Sequence, residues 1–195
     1  MAFDFDGTLT VRDSFNAFLY WRAGLVGTTI GRLRLLPEVI AFFAHRDRAR
    51  LKAAMVKIFL AGAVVTAVEE DARRYADTHA PRLLRPDALA CWADWRGRGA
   101  RLVIVSASPE FLLKPFAEPL GAQRVLGTRL ACDPNGRFTG LLAGANCRGA
   151  EKVTRLKAAF GEDLDLVAAY GDSDGDIEML ASAREGHMKV FTARP

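Results

Sequence analysis

"FDFDGTLT" (residues 3–10) stands almost at the start of the chain. Two aspartates, Asp4 and Asp6, close a short apolar run, and a Gly-Thr pair follows at once. In an extended strand, side chains alternate between faces, so residues two apart share one face. Like charges held that close repel, and burial sharpens the repulsion. A chain gains from such a pair where the charges themselves are used, so the rest of the sequence is read outward from this point.

After this strand and turn the pattern is helical as far as residue 85. "DSFNAFLYWRAG" offers Asp13 or Ser14 as an N-cap and Gly24 as a stop. "DRARLKAAMVKIFLAG" sets Leu51, Ala54, Met55, Ile58 and Phe59 at helical spacing. "TAVEEDARRYA" opens with Thr66 and Glu69 at capping-box spacing. From residue 86 the pattern changes. A helix is expected from Pro86, with Leu89, Trp92 and Ala93 on one face and a stop near Gly97 to Gly99. "RLVIVSAS" (residues 101–108) is a near-continuous apolar run, as in a strand buried on both faces. A helix to residue 120 follows, then a hairpin with "VLGTRLA" and "FTGLLAG" flanking the turn "CDPNGR". The helix of "GAEKVTRLKAAFG", a second buried strand in "LVAAYGDSDGD", the helix "DIEMLASA" and a last strand in "MKVF" (residues 188–191) complete the pattern. Alternating strands and helices predict an α/β fold, a parallel sheet with helices on both faces. The expected division is a core of residues 1–12 and 86–195, with an all-helical insertion over 13–85 and a small hairpin.

Bulk properties narrow the class. A length of 195 residues, half of them hydrophobic, suits one core domain with a modest insertion. Cys91, Cys132 and Cys147 are few, odd in number and far apart, so a reducing cytoplasm is the simplest reading. No run is long and apolar enough to span a bilayer, and acidic residues from position 4 argue against a signal peptide. Only three residues precede Asp4, whereas buried strands usually run about five or six. Either a natural start a few residues earlier or a short, weakly held strand is expected. The net charge of +4 is uneven: residues 12–86 hold 13 Lys/Arg against 7 Asp/Glu, and the remainder 14 against 16. A basic segment beside an acidic one suits an anionic ligand. Nucleic acid is not indicated, because no basic run interleaves with aromatics.

Ligands of open parallel sheets bind at the carboxyl ends of the strands. The first strand delivers Asp4 and Asp6 there, "RLVIVSAS" delivers Ser106, and "LVAAYGDSDGD" delivers Asp172 and Asp176, with Lys152 at the start of the preceding helix. Four carboxylates, a hydroxyl and an ammonium are expected to converge. So negative a cluster needs a cation, and oxygen ligands favour Mg²⁺, whose remaining positions commonly go to a substrate phosphate. Asp4 is the candidate nucleophile, since a carboxylate can attack phosphorus. Asp6 is the candidate general acid and base. Ser106 and the backbone from Ala107 onward can hold phosphate oxygens, and Lys152 can offset the charge. Asp172 completes the metal site, and Asp176 is expected either to coordinate or to orient it from behind. Asp174 and the three histidines read as surface or structural residues.

"DFDGTLT", "VIVSAS", the lysine of "GAEKV" and "GDSDGDIEML" resemble the four ordered motifs of the haloacid dehalogenase superfamily. The helical insertion and the hairpin resemble its phosphoserine phosphatase-like branch, subfamily IB. The resemblance implies a Rossmann-like core, a mobile helical cap, Mg²⁺ and hydrolysis of a small phosphomonoester through a phosphoaspartate. It also implies that the backbone carbonyl of Asp6 is a metal ligand. Departures from that branch lie around the substrate. Gly175 replaces an Asn, Asp13 replaces a Glu that meets the substrate amine, and Met55 stands where a cap arginine meets its carboxylate. Arg48, one heptad before Met55, is the candidate substitute. Two other functions share the pattern: a phosphotransferase using the same intermediate, and a silent binding protein that kept the fold. Retention of Asp4, Asp6, Lys152 and Asp172 argues against the second.

Overall fold

The opening strand β1 is only Ala2–Phe3, yet both residues are fully buried at the centre of a parallel sheet. The computed structural model describes residues 1–45 and 48–195, with the side chains of residues 44, 45 and 48 outside the description. Its elements run α1 (Ser14–His45), α2 (Arg48–Leu60), α3 (Val65–Leu83), α4 (Pro86–Gly97), β2 (Val103–Pro109), α5 (Glu110–Leu120), β3 (Arg124–Thr128), β4 (Leu130–Cys132), β5 (Phe138–Leu142), α6 (Ala150–Phe160), β6 (Ala168–Gly171), α7 (Ile177–Ala181) and β7 (Glu185–Met188). Among the described residues the main sheet has the order β3-β2-β1-β6-β7, all parallel.

Alternation along β1 sends its two side chains to opposite layers. Phe3 packs with Trp92 of α4 and stacks on Tyr170 of β6 at 4.4 Å, in a cluster that also takes Leu112 and Phe116 of α5. Ala2 joins Val105, Leu156 of α6 and Met179 of α7 on the other side. The chain leaves the sheet at residues 10–13 and returns at 83–85. There the two crossings bond to each other, Val11 N–H to Leu83 O and Arg85 N–H to Leu9 O, both at 2.8 Å.

Gly24, at φ 65° and ψ −174°, leaves the helical region and divides α1 into two segments, so the expected stop falls at that residue. Four local expectations are corrected. The capping box at Thr66 and Glu69 does not form, because α3 begins at Val65 after Val64 with no side-chain cap. On α4 the inward face is Ala88 and Trp92, while Ala93 is exposed. The expected hairpin arm "VLGTRLA" divides between two sheets. Its first half is β3, paired with β2, and only β4 pairs with β5. Gly127 explains the first half: a Cβ there would sit 2.7 Å from the Ser108 carbonyl, so glycine lets the two strands close. The last strand begins three residues earlier and shares only Met188 with "MKVF". Lys189 N–H still donates to Gly171 O at 2.8 Å, but its φ of 55° turns the backbone away beyond that point, and Phe191 folds back to stack on Tyr170.

Candidate active site

Four elements deliver the charged residues to one place, the carboxyl end of the sheet. Asp4 follows β1 directly, and its N–H still bonds to Tyr170 O of β6 at 2.9 Å. Its carboxylate is buried, and Oδ1 accepts from Lys152 Nζ at 2.6 Å. Lys152, in the first turn of α6, also donates to Asp176 Oδ1 at 2.5 Å and Val105 O at 2.7 Å. An ammonium has three protons, and all three are used. Burial pushes the Lys152 ammonium towards neutrality, but Asp4 and Asp176 outweigh it and raise its pKa. The neighbouring bases of α6 are occupied elsewhere, Arg155 on Glu151 and Lys157 on Glu162.

The carboxylates respond in the opposite sense. Burial raises Asp4 to about 7; Lys152 opposes the rise and the charge of Asp176 adds to it. Burial and then Asp176 raise Asp172. Asp6 lies in the wide turn after Asp4, where Gly7 at φ 85° lets the chain reverse. A Cβ at Gly7 would run into the Asp172 carboxylate, so the turn brings backbone directly against the acid from β6. Asp6 Oδ1 accepts from Ser14 N–H at 2.6 Å, and its Oδ2 accepts from the Ser108 hydroxyl. Burial, then the charge of Asp13, raises Asp6 to about 6, against the pull of those two hydrogen bonds.

Asp4, Asp172 and Asp176 each offer an oxygen, and these lie within 4.8 Å of one another. An all-carboxylate set suits a hard divalent cation, so this triad is able to hold a metal ion. The Asp6 carboxylate is outside it. Asp176 is the most committed member. Its Oδ1 takes Lys152, and its Oδ2 takes the N–H of Asp172, the N–H of Ser173 and the Ser173 hydroxyl. Those bonds fix the loop that presents Asp172.

Ser106 is buried, and its Oγ accepts from Ser108 N–H at 3.2 Å. The Ala107 carbonyl accepts from Thr128 Oγ1 at 2.6 Å and from the Lys52 ammonium. Asp13 is exposed at the mouth and spends Oδ1 on Asn16 N–H at 2.7 Å, capping α1. Ser106, Ala107, Ser108, Asp13, Lys52 and the clustered acids line one cleft of about 840 Å³, whose wall also includes Phe15, Phe42, Leu51 and Met55. Met55 is buried and apolar, as expected from its place on the helical stripe. The Arg48 side chain, the expected substitute cation, lies outside the described residues.

Three residues of the cleft escape sequence reasoning. Lys52 reaches from α2 to Ala107 O and, at 3.1 Å, to Asn146 Oδ1. Burial lowers its pKa to about 8 against the pull of Asp6 and Asp13. Its signal was available, since it lies three residues before Met55 and so on the same helical face. Asn146 Oδ1 also lies 2.8 Å from Thr128 Oγ1, sharing that hydroxyl's single proton with Ala107 O, so it bridges the α2 lysine and the strand end. Arg148 packs over Gly175, where a Cβ would lie 2.5 Å from Nη1, and pairs with Asp174. The guanidinium thus occupies space that a side chain at 175 would need. Neither Asn146 nor Arg148 stands in any patterned stretch, and only the folded chain brings them to the cleft.

The model of the haloacid dehalogenase-like hydrolases matches residues 1–181. The chain belongs to the haloacid dehalogenase-like hydrolase family. Within the family it is 55% identical over 195 residues to protein CicA of Caulobacter vibrioides, covering all of this chain and 87% of that one. Among solved structures it resembles a protein of unknown function from Bordetella pertussis Tohama I, with TM-score 0.77, 22% identity, and coverage of 93% of this chain and 85% of that one. A phosphoserine phosphatase solved as a phospho-aspartyl intermediate analogue aligns with TM-score 0.62 and 22% identity, over 93% of this chain and 81% of that one. The fold is therefore shared with that phosphoserine phosphatase, and the chain is a haloacid dehalogenase-like hydrolase.

Proposed function

We propose that this chain is a Mg²⁺-dependent phosphomonoester hydrolase that works through a phosphoaspartate on Asp4. One observation carries the reading: buried Asp4 is tied to Lys152, while Asp6 is held beside the same cleft by Ser14 N–H and Ser108 Oγ. The two acids have different surroundings and so different work. Asp4, which Lys152 draws towards its anionic form against the burial that raises it to about 7, attacks phosphorus as the carboxylate. Asp6, raised to about 6, can carry a proton near neutral pH, pass it to the departing alkoxide, and then take one from the water that cleaves the acyl phosphate. Ser106 and the backbone beside it hold phosphate oxygens, and Lys152 offsets the charge on Asp4 as the bond forms. Asp4 and Asp172, with the Asp6 carbonyl, are the residues to hold Mg²⁺, and Asp176 orients Asp172. Bound there, the ion would supply positive charge to the phosphate and the attacking carboxylate.

In the same reading, residues 13–85 are a cap over a core of 1–12 and 86–195. The paired crossings at residues 9–11 and 83–85 support this boundary, because a cap hinged there can move while the sheet stays intact. A small phosphorylated metabolite is the substrate class. The test is a screen of purified protein against phosphomonoesters with and without Mg²⁺. Phosphate release that depends on the ion and on Asp4 is expected; release that survives exhaustive chelation overturns the reading.

A further inference from the structure

Beyond its kink at Gly24, α1 continues to His45 with an unusual surface. At about 100° per residue, Leu25, Val26, Ile30, Leu33, Leu36, Ile40 and Phe43 share an arc of roughly 140°. Thr29 is the polar residue inside it. All seven are exposed, Leu25 at 91%, Phe43 at 72% and Leu33 at 67%. The opposite side is apolar too, and there α2 covers it: Leu35 is buried and Phe59 fills the notch left by Gly31. A helix apolar all round is ordinarily enclosed, and a contiguous exposed stripe marks an interaction surface.

Charge selects the occupant. Residues 14–60 hold eight Lys/Arg against two acids, Glu38 and Asp47. Arg32 borders the stripe on one edge, over the Tyr20 ring at 4.7 Å, and exposed Arg34 borders the other. Apolar residues flanked by arginines are the pattern of a helix lying in an anionic lipid interface, with guanidinium groups at headgroup level. A second copy would bring the same positive charges against themselves. Among the described residues no helix is long and apolar enough to cross a membrane, so the helix would lie on the bilayer. We propose that the Leu25–Phe43 face of α1 docks on a membrane surface rich in anionic phospholipid. Phe42 of the same helix lines the cleft from the side of α1 opposite the stripe, so docking leaves the cleft uncovered.

Sedimentation with phosphatidylcholine vesicles, with and without an anionic phospholipid, tests this on the whole chain. Binding at least about tenfold stronger to the anionic vesicles, and weakened by salt, is expected. The double variant Leu33→Glu/Ile40→Glu should remain in the supernatant, and Arg34→Glu should bind more weakly. These side chains are exposed, so unchanged circular-dichroism melting is expected to show that the variants fold. Wild-type protein that ignores both vesicles, or that binds them equally, overturns the proposal, as does binding unaffected by the double variant. A dimer in light scattering that the double variant dissociates assigns the face to a second copy and overturns it too.

Discussion

Lys152 and Lys52 show how burial and partners divide similar side chains. Lys152 meets three acceptors and keeps its charge; Lys52 meets two neutral ones and is brought down to about 8. If Lys52 assists a phosphate dianion, its help is present below pH 8 and lost as the ammonium deprotonates above it. KM for a soluble phosphomonoester should therefore rise from pH 7 to pH 9, with kcat less affected. In Lys52→Met the KM should be high and nearly flat over that range; a flat wild-type KM counts against the role. Asp4→Asn is expected to fold normally and to show no turnover, because an amide does not attack phosphorus. Asp6→Asn should lower kcat by about 10²- to 10⁴-fold. Both are checked by phosphate release beside a thermal melt, and well-folded Asp4→Asn with more than trace activity would refute its role as nucleophile.

The site's elements are short, and their ends matter more than their lengths. A two-residue strand suffices for β1 because β2 and β6 pair with it on both sides and Phe3 stacks against Tyr170. What locks the three strand ends together is the ammonium of Lys152, which links Asp4 after β1, Val105 in β2 and Asp176 after β6. Lys152→Met should leave two buried carboxylates without their cation. A loss of about 3–5 kcal/mol is expected, read by urea unfolding at neutral pH; an unchanged midpoint would mean the cluster neutralises itself by taking up protons. Legibility followed the same division. The strands ending in Asp4, Ser106 and Asp172 were readable because apolar runs and acid-rich turns are local signals. "VLGT" was misplaced because its partner is β2, some twenty residues upstream, and nothing local separates an edge strand from a hairpin arm. Lys52 carried a local signal in its shared face with Met55, but its meeting with Asn146 at Ala107 and Thr128 depends on how α2 lies over the sheet, which no local pattern gives.

Across the whole molecule, helices bearing excess positive charge face a sheet edge bearing buried carboxylates, and the cleft lies between them. From α2, Lys52 is directed at Ala107 O, and Met55 leaves the neighbouring wall apolar. Among the described residues, the α2 wall of the cleft therefore offers a substrate carboxylate no guanidinium fork. Phosphoserine should be turned over less efficiently than phosphomonoesters carrying only an amine or hydroxyl; a tenfold advantage for phosphoserine in kcat/KM would show that the cleft supplies a carboxylate partner. The balance of charge also links stability to pH and metal. Burial raises Asp4 from 3.8 to about 7, so between those values the native state holds a proton that the unfolded chain has released. From this group, metal-free protein loses stability as pH rises from about 4 to 7 and levels off above. A cation needs the same carboxylate bare, so Mg²⁺ should bind more tightly over the range in which the metal-free protein weakens. The rise in Tm on adding Mg²⁺ should thus be larger at pH 8 than at pH 5.5, equivalent to about 2.7 kcal/mol when the ion stands at 100 times its Kd. Ca²⁺ should also raise Tm without supporting turnover, since it accepts more ligands at longer distances and would draw Asp4 out of line for attack. Differential scanning fluorimetry at both pH values decides the matter. A shift larger at pH 5.5, or none at either value, would place the metal away from Asp4 and Asp172.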